Sequence, residues 1–335
     1  MLPGCGLLLL ALAGPQARVP PTFRESVERV LIDARVLDGH GKAVPDLRED
    51  QFRVRIDGAP ADVLSVTWLS AEGARPVPRR APAAGAGPKA EGPRGRLLVL
   101  FVQKSLHPTR APGLLRLLEE ARRLVGRLGP EDRVAVVSFD HHLELWQDFT
   151  ADPALLRRAL EHDVLFEEQA RDVPVSPPPS LARHFDVEAG RRATTPEAAL
   201  RLVGEALRPV AGSKTLVVLG YGFGERGPGE VLSSDYDPAR RALLRAGVAV
   251  FTLDVTEADS HTLAAGLQTV ARDTGGFYAS TKDFAHGAVT RLEEALEGHY
   301  VLEVAHPPQG RGYHSIDVRL AGRRGTVLAR MGYFD

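Results

Sequence analysis

Leu97-Leu98-Val99-Leu100-Phe101-Val102 is an unbroken apolar run, closed by the polar residues Gln103-Lys104-Ser105. A strand with one wet face alternates apolar and polar positions, so a continuous run predicts a strand buried on both faces. Such a strand belongs in the middle of a parallel sheet covered by helices. Downstream, Leu114, Leu115, Leu117, Leu118, Ala121, Leu124, Val125 and Leu128 follow helical spacing until Gly129-Pro130 ends the helix. Further strands are expected over 134–139, 143–146, 215–219, 248–253 and 277–279, and helices over 153–160, 196–207, 238–246, 262–273 and 284–296. A long irregular stretch with Pro177-Pro178-Pro179 interrupts the series. The alternation predicts an α/β domain over 97–298 with a doubly wound, mostly parallel sheet covered on both faces.

The flanks read differently. Val27, Val30, Ile32, Ala34 and Val36 lead into the turn Asp38-Gly39-His40-Gly41-Lys42, and Phe52-Arg53-Val54-Arg55-Ile56 alternates cleanly up to Asp57-Gly58. With a third apolar stretch at 63–68, these make a β module over 25–70. After 298 the pattern returns to β, with strands expected over 300–304, 314–320 and 327–330 in a C-terminal segment, 299–335. Three strands on either side are too few to bury an independent core. The two sets are therefore expected to pair into one small β-sandwich, with the α/β domain inserted between its halves. Residues 71–96, with 7 Ala, 5 Gly and 5 Pro among 26, read as a flexible linker.

The 335 residues carry 42 basic and 43 acidic side chains. That balance argues against a nucleic-acid or anionic-membrane surface, which needs a clustered positive field. With 44% hydrophobic residues the chain can bury a substantial core. A single cysteine, Cys5, excludes an intramolecular disulfide and a cysteine-based zinc knuckle. Leu7 to Ala13 form a short apolar run followed by Gly14-Pro15-Gln16-Ala17, resembling the core and cleavage site of a secretory signal over 1–24. The run is too short to span a bilayer. A secreted or periplasmic protein with no integral membrane segment is expected.

The 98–107 strand and loop, Arg133-Val134-Ala135-Val136-Val137-Ser138-Phe139, Lys214-Thr215-Leu216-Val217-Val218-Leu219 and Thr274-Gly275-Gly276 resemble the corresponding segments of von Willebrand factor type A domains. In the flanks, Val44-Pro45-Asp46-Leu47-Arg48-Glu49-Asp50-Gln51-Phe52 with Asp57-Gly58, and Gly312-Tyr313-His314-Ser315-Ile316-Asp317-Val318 with Arg330-Met331-Gly332-Tyr333, look like an exported bacterial family related to those domains. The resemblance implies a divalent cation at the C-terminal edge of the sheet. It would be held by an Asp-x-Ser-x-Ser loop after the first strand, a later Thr, and an Asp after the fourth strand.

Carried over by position, Gln103 stands for the first Asp, Ser105 for the first Ser and His107 for the second Ser; Thr194 matches the Thr, with Thr195 as alternative, and Tyr221 stands for the second Asp. Hard Mg²⁺ wants carboxylate oxygens, and both carboxylates are missing. The expectation is a degenerate rim with no metal and no cofactor. His107, His141 and His142 share that rim, but no ligand spacing supports a zinc site. Ser105 and His107, two apart on one loop with no orienting carboxylate, make a poor nucleophile and base. Gly220-Tyr221-Gly222-Phe223-Gly224 lacks the ending of a phosphate loop. Tyr221 and Phe223 could form an aromatic contact surface, or simply a turn with partly buried rings. The reading is an exported, non-enzymatic protein-binding or scaffold protein. Its alternatives are a cation-dependent adhesion module and a hydrolase using the same rim.

Overall fold

The computed structural model describes residues 28–70, 73–76, 95–167, 173–224, 232–259, 261–306 and 310–334. The segment read as a signal, 1–24, lies outside them, as does most of the linker. Four N-terminal strands come first: β1 (Glu28–Leu37), β2 (Phe52–Ile56), β3 (Ala59–Ser70) and β4 (Gly73–Pro76). The α/β series follows: β5 (Leu97–Gln103), α1 (Ala111–Val125), β6 (Arg133–Phe139), β7 (Leu143–Thr150), α2 (Pro153–Arg158), a π turn (Ala159–Asp163), α3 (Val164–Phe166), α4 (Val187–Arg192), α5 (Pro196–Leu207), β8 (Lys214–Gly220), α6 (Tyr236–Ala246), β9 (Val248–Asp254), α7 (Ala264–Thr274), β10 (Tyr278–Ser280) and α8 (Ala285–Leu296). The chain closes with β11 (Gly298–His306), β12 (Tyr313–Leu320), β13 (Thr326–Ala329) and β14 (Gly332–Phe334).

The six-stranded sheet has the order β10-β9-β8-β5-β6-β7. β5 lies parallel to both β6 and β8, and only the edge strand β7 runs antiparallel, against β6. All seven residues of β5 are buried, as its unbroken apolar run demands. Period-two alternation divides them between two cores. Leu98, Leu100 and Val102 pack with Leu114, Leu117 and Leu118 of α1 and Val289 and Leu292 of α8. Leu97, Val99 and Phe101 pack with Leu200 and Val203 of α5, Leu243 of α6 and Leu267 of α7. Each such side chain contributes about 1.5–3 kcal/mol by leaving water, so a charge at Leu100 would disrupt the whole assembly. No helix among the described residues is long and apolar enough to cross a membrane.

The terminal strands combine, as expected, and do so as one hydrogen-bonded eight-stranded sheet in the order β13-β1-β11-β3-β2-β12-β14, with β4 on β3. β3 serves two neighbourhoods: Ala59–Ala61 pairs with β2, while its later half pairs with β11 and β4. β13 pairs with β1 and β14 with β12, although only Arg330 and Met331 separate β13 from β14. The two ends of the sheet therefore meet through one split strand, which leaves few open edges. Inside, Tyr300 lies 4.7 Å from Trp68 and 5.3 Å from Phe52, ring to ring. Its hydroxyl donates to the Val44 carbonyl at 2.5 Å and accepts the Leu47 N–H at 2.9 Å.

Several features depart from the sequence reading. Gly73–Pro76, inside the stretch read as linker, forms β4 because the edge of β3 offers it unpaired backbone groups. The helix expected over 153–160 continues through the π turn and α3 to Phe166. β7 extends to Thr150, beyond the expected end at 146, and α4 and β14 were not foreseen. The irregular stretch around Pro177 is tied down by Asp148 of β7. Its carboxylate accepts the Ser176, Leu181 and Ala182 N–H groups and the Ser180 hydroxyl.

Candidate functional site

In a doubly wound sheet the loops diverge at the point where strand order reverses, and a crevice opens at the C-terminal ends of those strands. Here that point lies between β5, ending at Gln103, and β8, ending at Gly220. Gln103 is fully buried. Its Oε1 accepts the N–H of Tyr221 at 2.8 Å and of Gly222 at 3.2 Å, and its Nε2 donates to the Gly222 carbonyl at 2.9 Å. The structure thus brings Gln103 and the Tyr221 backbone into direct contact. The amide is used up in holding the loop shut.

Ser105 is half-buried, and its Oγ accepts the His107 N–H at 3.4 Å. His107 is exposed, with Nδ1 2.8 Å from Thr109 Oγ1. The Tyr221 ring carries the Arg110 guanidinium 3.9 Å from its centroid, so a protein cation stacks beside the loop after β8. Thr194 is exposed, whereas Thr195 caps α5 by accepting the Ala198 N–H at 3.1 Å and donates to Asp235 Oδ2 at 2.7 Å. The histidines do not converge: His142 lies between Asp140 and Glu144, and the His141 side chain is almost wholly exposed. Phe223 is buried, so of the two expected rings Tyr221 is the one that reaches the rim.

Lys104, whose positive charge the sequence already places beside the loop, is joined by charged groups that the sequence reading did not single out. Lys104 places Nζ 3.3 Å from Asp140 Oδ2 and 5.4 Å from the Trp146 ring centroid. Burial by itself would raise the Asp140 carboxyl; the His141 N–H and the Lys104 charge outweigh it and hold it below the usual range. Asp254, buried at the end of β9, has Oδ2 2.6 Å from His261 Nε2 and accepts the Tyr278 hydroxyl at 3.0 Å. Burial, then the Asp254 charge, pushes the Tyr278 phenol up. Glu197, in the first turn of α5, accepts the Gly224 N–H at 2.6 Å, yet burial keeps its carboxyl above the ordinary range. In the sequence the signal for Asp254 was a carboxylate directly after an apolar strand. Its imidazole partner comes from a separate loop, and periodicity says nothing of that.

No protein-family model matches the sequence, and no curated protein matches it. Solved structures do resemble it in fold. Human COPII-coat protein Sec24c aligns over 73% of this chain and 44% of its own at 12% identity and a TM-score of 0.41. An aerotolerance-related membrane protein from Bacteroides fragilis aligns over 60% and 98% at 17% identity and 0.40. Manganese-loaded Plasmodium vivax TRAP protein aligns over 71% and 93% at 12% identity and 0.42. The strand order, the antiparallel edge strand and the loops at the switch point are those that the resemblance to von Willebrand factor type A domains implies for the six-stranded sheet.

Proposed function

We propose that the chain is an exported protein-binding or scaffold module that uses the C-terminal rim of its A-like sheet, without a metal ion there and without catalysis. One observation carries the reading: at the position where a carboxylate would hold a cation, the Gln103 amide is spent on the backbone of Tyr221 and Gly222. An amide N–H aimed into the loop repels a cation, and the Arg110 guanidinium on Tyr221 adds positive charge. Beside it, Leu106 stands 92% exposed, an apolar contact that folding leaves unused. Ser105 and His107 are each engaged within their own loop, which supports contact rather than nucleophilic chemistry. Export rests on the apolar run Leu7 to Ala13.

Affinity capture from the exported fraction of the native cell, with wild type against Leu106→Asp, tests the contact. A partner retained by wild type and lost by the folded variant supports the reading. Unaltered capture places the contact elsewhere. Mg²⁺ or Mn²⁺ binding that Gln103→Ala or Thr194→Ala abolishes would show that the rim is a cation site after all.

A further inference from the structure

Away from the rim, the segment after β7 gathers three side chains of ligand type. α2 runs into the π turn Ala159–Asp163, where the Val164 N–H reaches back to the Ala159 carbonyl, and α3 follows. His162 Nδ1 lies 3.3 Å from Asp163 Oδ1 and 3.7 Å from Glu167 Oε1. Ligand atoms of all three fall within 4.8 Å of one another. On an uninterrupted α-helix, residues five apart sit about 140° around the axis and do not meet. Here the widened turn breaks that spacing, and Glu167 has already left the helix with extended backbone, φ −85° and ψ 138°.

We propose that His162, Asp163 and Glu167 form a divalent transition-metal site best suited to Zn²⁺. Tetrahedral Zn²⁺, with bonds of about 2.0–2.2 Å, holds its ligand atoms roughly 3.3–3.5 Å apart. The imidazole stands at 3.3 and 3.7 Å from its two carboxylates, so small side-chain rotations complete the geometry. One neutral nitrogen and two anionic oxygens are donors that a borderline cation accepts. Three protein ligands leave a fourth position for water. A cleft of about 560 Å³, lined by Ala154, Arg157, Arg158, Glu161 and His162, opens beside the imidazole. Among the described residues Arg158 competes for Asp163, with its Nε 3.5 Å from Asp163 Oδ1. That pair is an exposed one, easily displaced.

Calorimetric titration of the chelator-stripped full chain with ZnCl₂ should show saturable one-to-one binding. Co²⁺ in its place should give the visible absorption of a tetrahedral site. His162→Ala and Glu167→Gln should each weaken Zn²⁺ binding by about tenfold or more, with circular dichroism and Tm unchanged, and Arg158→Gln should tighten it. Absence of saturable Zn²⁺ binding, or binding that survives His162→Ala and Glu167→Gln but is lost with His141→Ala, overturns the assignment. If one variant fails to fold, the other decides.

Discussion

Gln103 and Gly222, 119 positions apart, are joined through both ends of one side-chain amide: Nε2 donates to the Gly222 carbonyl at 2.9 Å and Oε1 accepts its N–H at 3.2 Å. This clamp ties the end of β5 to the loop after β8 at the point where the strand order of the sheet reverses.

Replacing the amide by an apolar group of similar size should therefore cost stability. Gln103→Leu leaves the Tyr221 and Gly222 N–H groups and the Gly222 carbonyl unpaired, and each buried orphan costs about 1–3 kcal/mol. Denaturant unfolding should show a lower midpoint at unchanged slope. Gln103→Asp is expected to be destabilised and still not to bind Mg²⁺ in calorimetry, because Tyr221 brings no second carboxylate.

The loop also depends on Gly222, whose φ of +144° few side chains tolerate; a Cβ there would stand 2.1 Å from Leu263 Cβ. Gly222→Ala combines a disfavoured backbone with overpacking against α7, at a cost of about 1–3 kcal/mol. Calorimetric unfolding should register it as a Tm lowered by several degrees. A Tm equal to wild type would mean that the loop has a second conformation.

Acid should weaken the fold through Asp148 only at low pH. Burial would raise its carboxyl, but the Ser180 hydroxyl and four N–H groups outweigh it and hold it below the usual range. A depressed carboxyl contributes stability that is complete above its unfolded value, about 3.9, and is lost as pH falls through the lower folded value. Asp148→Asn should remove that acid dependence and loosen the stretch around Pro177. Hydrogen exchange at Leu181 and Ala182 is the measurement.

His299 should act in the opposite sense to an ordinary paired histidine. Burial, with the Arg35 charge, lowers it to about 4 against the pull of Asp33, and its Nε2 has no hydrogen-bond partner among the described residues. Between its ordinary value of about 6.5 and that folded value, the unfolded chain takes up a proton that the native chain refuses. Stability should therefore decline as pH falls from about 6.5 toward 4 and level off below. His299→Leu should flatten that part of the profile in denaturant titrations at stepped pH.

What could be read along the chain was whatever depends on near neighbours. The unbroken run Leu97 to Val102 specified a central buried strand, and the spacing from Leu114 to Val125 specified a helix on its flank, because periodicity encodes burial locally. The α5 bounds, 196–207, were legible in the sequence, and the structure adds Thr195 as the cap of that helix. That positions 103 and 221 carry Gln and Tyr, neither of them a carboxylate, was plain in the residues. Contacts between distant segments were not. β4 exists only because β3 offers it an edge, and the terminal sheet closes only because one split strand meets both β1 and β12. The Gln103 clamp on Gly222, the Asp254 grip on His261 and the Asp148 hub each pair a polar group with a partner chosen by three-dimensional proximity. A buried polar group must be paired wherever the fold puts it, and local pattern carries no record of where that is.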